Sequence, residues 1–160
     1  MRILIILDAD AGGQAGVGPG SGAGFEGLIE AYYLFRDAGL EIVVAAPGGG
    51  SAGEPTGAAA AVQRFKADRP ARDVMNDLLD LASVCPDDFD AALCLDAFRS
   101  DGASGLLVTR LLAAAKPVAV IAEAPGNRLP ETGDGLLLFG KGTGAARLAA
   151  NALLGALRVL

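Results

Sequence analysis

Short continuous apolar runs alternate along the chain with stretches whose apolar residues recur every three or four positions. Arg2–Leu7 (RILIIL) is an unbroken β-branched and leucine run ending at Asp8, the pattern of a strand buried on both faces. After a glycine-rich stretch from Ala11 to Gly24, apolar residues at Phe25, Leu28, Ile29, Tyr32, Tyr33 and Phe35 take helical spacing as far as Ala38, and Gly39 supplies a stop. Leu40–Pro47 reads as the second strand and Gly48–Ala61 as a loop rich in Gly, Ala and Pro. The spacing of Val74, Leu78, Leu79 and Leu81 predicts a helix over Arg72–Ala82. Asp90–Leu95 reads as the third strand, Ser104–Ala115 as a helix, Pro117–Ala122 as the fourth strand and Gly135–Phe139 as a short fifth. Thr143–Leu157, apolar at Leu148, Ala149, Leu153, Leu154 and Leu157, closes the chain as a helix.

Apolar strands alternating with helices predict an α/β domain: a doubly wound, mostly parallel five-stranded sheet of flavodoxin-like type with helices on both faces. In such sheets ligands bind beyond the carboxyl ends of the strands, where strand order reverses. Here those ends are Asp8–Asp10, Pro47–Gly49, Asp96–Arg99 and Ala122–Gly126. At 160 residues, with neither repeat nor linker, a single domain over residues 1–160 is expected.

Composition narrows the chemistry. Thirteen basic against nineteen acidic residues give a net charge of −6 with no basic cluster, which argues against a nucleic-acid partner. There is no histidine, so the commonest general base and metal ligand are both missing. Cys85 and Cys94 lack metal-site spacing and a disulfide framework, and are expected to be reduced thiols in a cytoplasmic protein. No apolar run reaches the roughly 18 residues of a membrane span, and Met1-Arg2 does not open a signal peptide. Neither metal nor cofactor is expected.

Several residues still invite a chemical reading. Gly22–Gly27 formally matches G-x-G-x-x-G, but it begins far beyond the end of the first strand, and the second strand ends without the ribose-binding acid; a surface loop fits better. Glu26 and Glu30 share one helix face, where a carboxylate over the strand ends could act as a base, or simply suit the first turn's dipole. Asp96, with Arg99 and Asp101 close by, could hold an anion or pin its own loop. Cys94 lies inside a strand, as a packed small hydrophobe does, and Cys85 precedes Pro86 in a connection with no evident base. Lys141 sits in the glycine-rich turn Gly140–Gly144. The segment KPVAVIAEAPG, Lys116–Gly126, carries a strand into a tight small-residue corner of the kind where α/β hydrolytic enzymes place a nucleophile. Here the corner residue is Ala122, and Glu123 is its only ionisable neighbour.

Three stretches carry a family resemblance: Gly24–Gly49, with Tyr-Tyr-x-Phe before Asp-Ala-Gly and a strand ending in Ala-x-Pro-Gly-Gly; Arg64–Leu95, with Asp-Phe-Asp-Ala entering the third strand; and Lys116–Gly126. Together they resemble the ThiJ/PfpI family of the class I glutamine amidotransferase-like superfamily, and Phe139–Leu157 resembles its closing strand and helix. The resemblance implies proteases, glyoxalase or deglycase-type enzymes, or chaperones. It also implies a cysteine at the elbow after the fourth strand, followed by histidine; those positions are Ala122 and Glu123 here. The supporting glutamate falls on Gly27, with Glu26 one place early. The Pro-Gly-Gly whose amides help to form the oxyanion site becomes Leu95-Asp96-Ala97, and an aspartate there repels a developing oxyanion. The segment between elbow and last strand is cut short, to Asn127–Asp134.

Four losses in one place imply a scaffold without the family reaction, since no thiolate, serine or threonine stands at the corner. The expectation is a non-catalytic homodimer that binds a small molecule or protein partner in a cleft bounded by Asp8, Glu26, Gly27, Asp96, Ala97, Phe98, Arg99, Ala122, Glu123 and Lys141. An enzyme with rewired carboxylate chemistry and a chaperone-like or structural subunit are the alternatives.

Overall fold

A computed structural model describes residues 1–7, 24–55, 57–95, 102–121, 134–142 and 144–158. Its strands are β1 (Arg2–Leu7), β2 (Glu41–Ala46), β3 (Leu79–Asp80), β4 (Ala91–Leu95), β5 (Val118–Ile121) and β6 (Leu137–Gly140). The helices are α1 (Gly24–Asp37), α2 (Ala60–Ala67), α3 (Arg69–Asn76), α4 (Ala103–Ala113) and α5 (Ala145–Leu157). The strands form one sheet in the order β3-β2-β1-β4-β5-β6, and every pairing between them is parallel.

Both faces of the sheet are apolar because strand side chains alternate and each strand is apolar at successive positions. The register aligns Val44, Ile5, Leu93, Ala119 and Leu138 in one row across the sheet. This row belongs to the core cluster that also holds Leu28, Ile29 and Phe35 of α1 and Ala146, Ala150 and Leu153 of α5. The next row, Ala45, Ile6, Cys94 and Val120, points the other way, to Leu107, Val108, Leu111 and Leu112 of α4 and to Leu81, Val84 and Phe89. Helices therefore cover both faces. Each fully buried Ile, Leu or Phe in these rows contributes about 1.5–3 kcal/mol of transfer free energy.

The chain leaves β1 for β2 on one side and later returns to β4 on the other. The point where strand order reverses lies between β1 and β4. Without β3, the order of the remaining strands is the flavodoxin-like order expected from the sequence.

Three expectations need correction. The sheet has six strands rather than five, and the helix expected over Arg72–Ala82 ends at Asn76. Leu78 and Leu79 keep helical spacing, but the chain extends there. The Leu78 amide donates to the Gly50 carbonyl at 2.8 Å, and Leu79 and Asp80 pair with Ala45 and Ala46. The Asp80 carboxylate then accepts from the amides of Gly48 and Ala82, each at 3.1 Å, closing a 3-10 turn at Leu81–Ser83. Asp80 offers these backbone groups a partner that a continuing helix would not use. The end of the expected loop Gly48–Ala61 is also helical, because α2 starts at Ala60 and buries Val62 and Phe65.

Candidate functional site

Parallel register brings the exits of four strands into line. Leu7 pairs with Leu95, Leu95 with Ile121, and Ile121 with Gly140. Each of these is the last residue of its strand. Adjacent parallel strands lie about 4.8 Å apart, so the exits form one short row beside the reversal of strand order. The residues that follow them in sequence are Asp8, Asp96, Ala122 and Lys141. That is where the sequence places the cleft.

Of the ten cleft residues proposed from sequence, Asp8, Asp96, Ala97, Phe98, Arg99, Ala122 and Glu123 lie outside the described residues. Glu26 and Gly27 occupy the first turn of α1, with Glu26 exposed and Gly27 half-buried. The neighbouring Phe25 ring meets Phe65 of α2 edge-on, with centroids 5.7 Å apart, which ties this turn to α2. Lys141 is exposed directly beyond β6. The side chains of Glu26 and Lys141 take part in no hydrogen bond or ion pair among the described residues, so neither is positioned there by a charged neighbour.

Neither cysteine is the last residue of a strand in this row. Cys94 is fully buried inside β4, between Ile6 and Val120 on the α4 face. Cys85 is exposed, but it precedes Pro86, whose carbonyl accepts from the Lys116 ammonium at 2.7 Å close to the start of β5. That is the opposite end of the strands from their exits. Among the described residues, no group of three or more His, Cys, Asp or Glu side chains is placed to hold a metal ion. Nor is any helix there long and apolar enough to cross a membrane.

A second polar centre, not anticipated from the sequence, joins α1 to α2 and α3. Asp68, between α2 and α3, caps α3 by accepting from the Ala71 amide at 3.2 Å. The same carboxylate accepts from the Tyr33 hydroxyl at 3.1 Å and pairs with the Arg36 guanidinium. Burial works to raise the Asp68 carboxyl, but the Ala71 amide, the Tyr33 hydroxyl and Arg36 all donate to its ionised form and hold it below the ordinary carboxylate value. Tyr33 moves the other way. Burial, reinforced by its bond to the Asp68 carboxylate, pushes its phenol up to about 12. Tyr32, edge-on to Tyr33 at 5.3 Å, is also raised, chiefly by burial.

Nearer the surface, Arg64 of α2 donates to both carboxylate oxygens of Asp37, at 2.7 and 2.6 Å, and lies 3.8 Å from the centroid of the Tyr33 ring. This two-pronged hydrogen bonding from Arg64 holds the Asp37 carboxyl below its usual value. Tyr33, Asp37 and Arg64 line a groove of about 300 Å³ over α1, together with Glu30, Leu34, Ala60, Ala61 and Arg147 of α5. Its sequence signal was the polar stripe Glu26, Glu30, Tyr33 and Asp37 at helical spacing, which continues beyond the two glutamates noted from sequence.

No protein-family model matches the chain, and no curated protein sequence matches it either. Solved structures do. Rapid Encystment Protein 24 KDa (REP24) of Francisella tularensis superposes with a TM-score of 0.70 at 11% identity, over 98% of this chain and 99% of that one. A ThiJ/PfpI domain protein from Brachyspira murdochii gives 0.66 at 17% identity, over 99% of this chain and 97% of that one. Glyoxalase III of Candida albicans gives 0.59 at 12% identity, over 96% and 97%. At these identities the likeness is one of fold, and it extends over nearly the whole length of each chain.

Proposed function

From the premise that the chain has the fold of ThiJ/PfpI domain proteins, we propose that it is a non-catalytic member of that structural group. It binds a small molecule or protein partner at the row of strand exits, and it works in the cytoplasm. The observation that carries this reading is the end of β5. The strand closes at Ile121, in register with the ends of β4 and β6, and the next residue, where the resemblance places a cysteine, is Ala122. An alanine offers no atom that can attack a carbonyl carbon. Neither cysteine is placed to substitute for it, because Cys94 is buried within β4 and Cys85 lies towards the starting end of the strands.

A homodimer is part of the same reading. Within the described sheet β6 is the last strand, with no charged residue or proline along it. Leu136 and Phe139 are exposed there at 49% and 39%. An uncharged, apolar edge favours pairing with another chain over free solution. Light scattering at micromolar concentration is expected to give the mass of a dimer, and Phe139→Lys to shift it towards the monomer. A monomer for the unsubstituted protein removes the dimer from the account and leaves the rest standing.

The catalytic half of the proposal is tested with methylglyoxal and a simple ester. The purified protein is expected to consume neither faster than blank. Turnover abolished by Glu26→Gln or Glu123→Gln would instead establish the rewired carboxylate enzyme.

A further inference from the structure

The groove between α1, α2 and α5 is lined by none of the residues proposed for the cleft at the strand exits. Its floor is one face of α1, where Glu30, Tyr33, Leu34 and Asp37 follow at three- and four-residue spacing. Arg64, with Ala60 and Ala61, forms the α2 wall, and Arg147 stands on α5.

The charges in the groove are not equivalent. Asp37 and Arg64 are committed to each other through two hydrogen bonds, and the Arg64 guanidinium is further held over Tyr33. Tyr33 spends its hydroxyl on Asp68. That leaves Glu30, half-buried on the floor, and Arg147, exposed on α5. Neither has an ion-pair partner among the described residues. One anion and one cation on different helices remain unmatched, with Leu34, Ala60 and Ala61 as the apolar lining. Two acidic and two basic side chains line the groove, so its formal charge is zero. A dianion such as a phosphate would meet Glu30 and Asp37, and a plain cation would meet Arg64 and Arg147. A net-neutral ligand with separated charges meets neither objection. The volume, about 300 Å³, is at the small end of ligand sites and suits a short chain.

We propose that the α1–α2–α5 groove binds a small aliphatic zwitterion, its ammonium at Glu30, its carboxylate at Arg147 and its methylenes against Leu34, Ala60 and Ala61. The guanidinium presents paired donors to a carboxylate, and the glutamate accepts from the ammonium. Both contacts are charge-assisted hydrogen bonds.

The test is a titration of the isotopically labelled full chain, followed by amide chemical shifts. The probes are glycine, 4-aminobutanoate and 6-aminohexanoate, with butylamine and butanoate as single-charge controls. At least one amino acid is expected to give saturable shifts centred on Glu30, Leu34 and Ala61 by tens of millimolar. Both controls should bind about tenfold more weakly or worse, as should Glu30→Gln and Arg147→Gln with the amino acid. Arg147→Lys should restore part of the affinity. The spectrum of each variant reports directly that it is folded. The proposal is overturned if no amino acid gives a saturable shift in the groove, if a single-charge control binds as well, or if the two glutamine variants bind like the unsubstituted protein.

Discussion

Asp68 carries more structure than its place in a charged stretch suggests. One carboxylate caps α3, accepts the Tyr33 hydroxyl and pairs with Arg36, all from a side chain only 16% exposed. Asp68→Ala removes the cap and strands two partners, and is expected to cost about 2–3 kcal/mol in urea unfolding. The pH dependence follows from the same contacts. The Asp68 carboxyl is lowered in the fold, so its contribution is present above the unfolded value and is lost as pH falls through the folded one. Tyr33 is raised from 10.0 to about 12, so its contribution is complete below 10 and is lost as pH rises towards 12. Urea midpoints measured between those limits should fall with pH, and Tyr33→Phe should flatten the fall, leaving the share of Tyr32. Thiol chemistry separates the two cysteines. An aromatic disulfide reagent should modify exposed Cys85 in the native protein and reach buried Cys94 only on unfolding. Fast native labelling of both would contradict the burial of β4.

Among the elements, the approach to β6 is constrained by Gly135. A Cβ built there would lie 2.7 Å from both the Cα and the carbonyl oxygen of Leu112, and 2.9 Å from the Lys116 carbonyl oxygen. These are backbone atoms at the end of α4 and the start of β5, which cannot swing aside. Gly135→Ala is therefore expected to destabilise by about 1–3 kcal/mol through forced backbone displacement. A midpoint unchanged within error would mean that the connection repacks freely. The longer strands were legible because a parallel strand covered on both faces is apolar along its buried length. Arg2–Leu7 shows this most clearly, since the expected and observed bounds coincide. The stretch at Leu78–Leu81 was misleading for a physical reason. Its leucines satisfy a helical period, while Asp80 and the Gly50 bridge satisfy the backbone in another way. Helix α2 escaped notice because its first turn is alanine, adjoining a loop rich in glycine and alanine, and only Val62 and Phe65 mark its buried face.

At the scale of the molecule, the ends of the main strands were legible in the sequence to within one residue, at Leu7, Ala46, Leu95, Ile121 and Gly140. The alignment of Leu7, Leu95, Ile121 and Gly140 follows from strand register, and register follows from apolar patterning. Of the proposed cleft residues, Glu26, Gly27 and Lys141 are described, and they lie in the first turn of α1 and just beyond β6. The polar network of Tyr33, Arg36, Asp68 and Arg64 was not legible. Its partners are distant in sequence and meet only once α2 and α3 fold back against α1.

The central claim is that a sheet of ThiJ/PfpI type is retained here without a nucleophile at the exit of β5. The most direct measurement is the rate of methylglyoxal consumption by the purified protein at high enzyme concentration, set beside the same preparation carrying Glu26→Gln or Glu123→Gln. The account predicts three traces that coincide with the buffer blank. Consumption well above blank by the unsubstituted protein, lost in either variant, would contradict it.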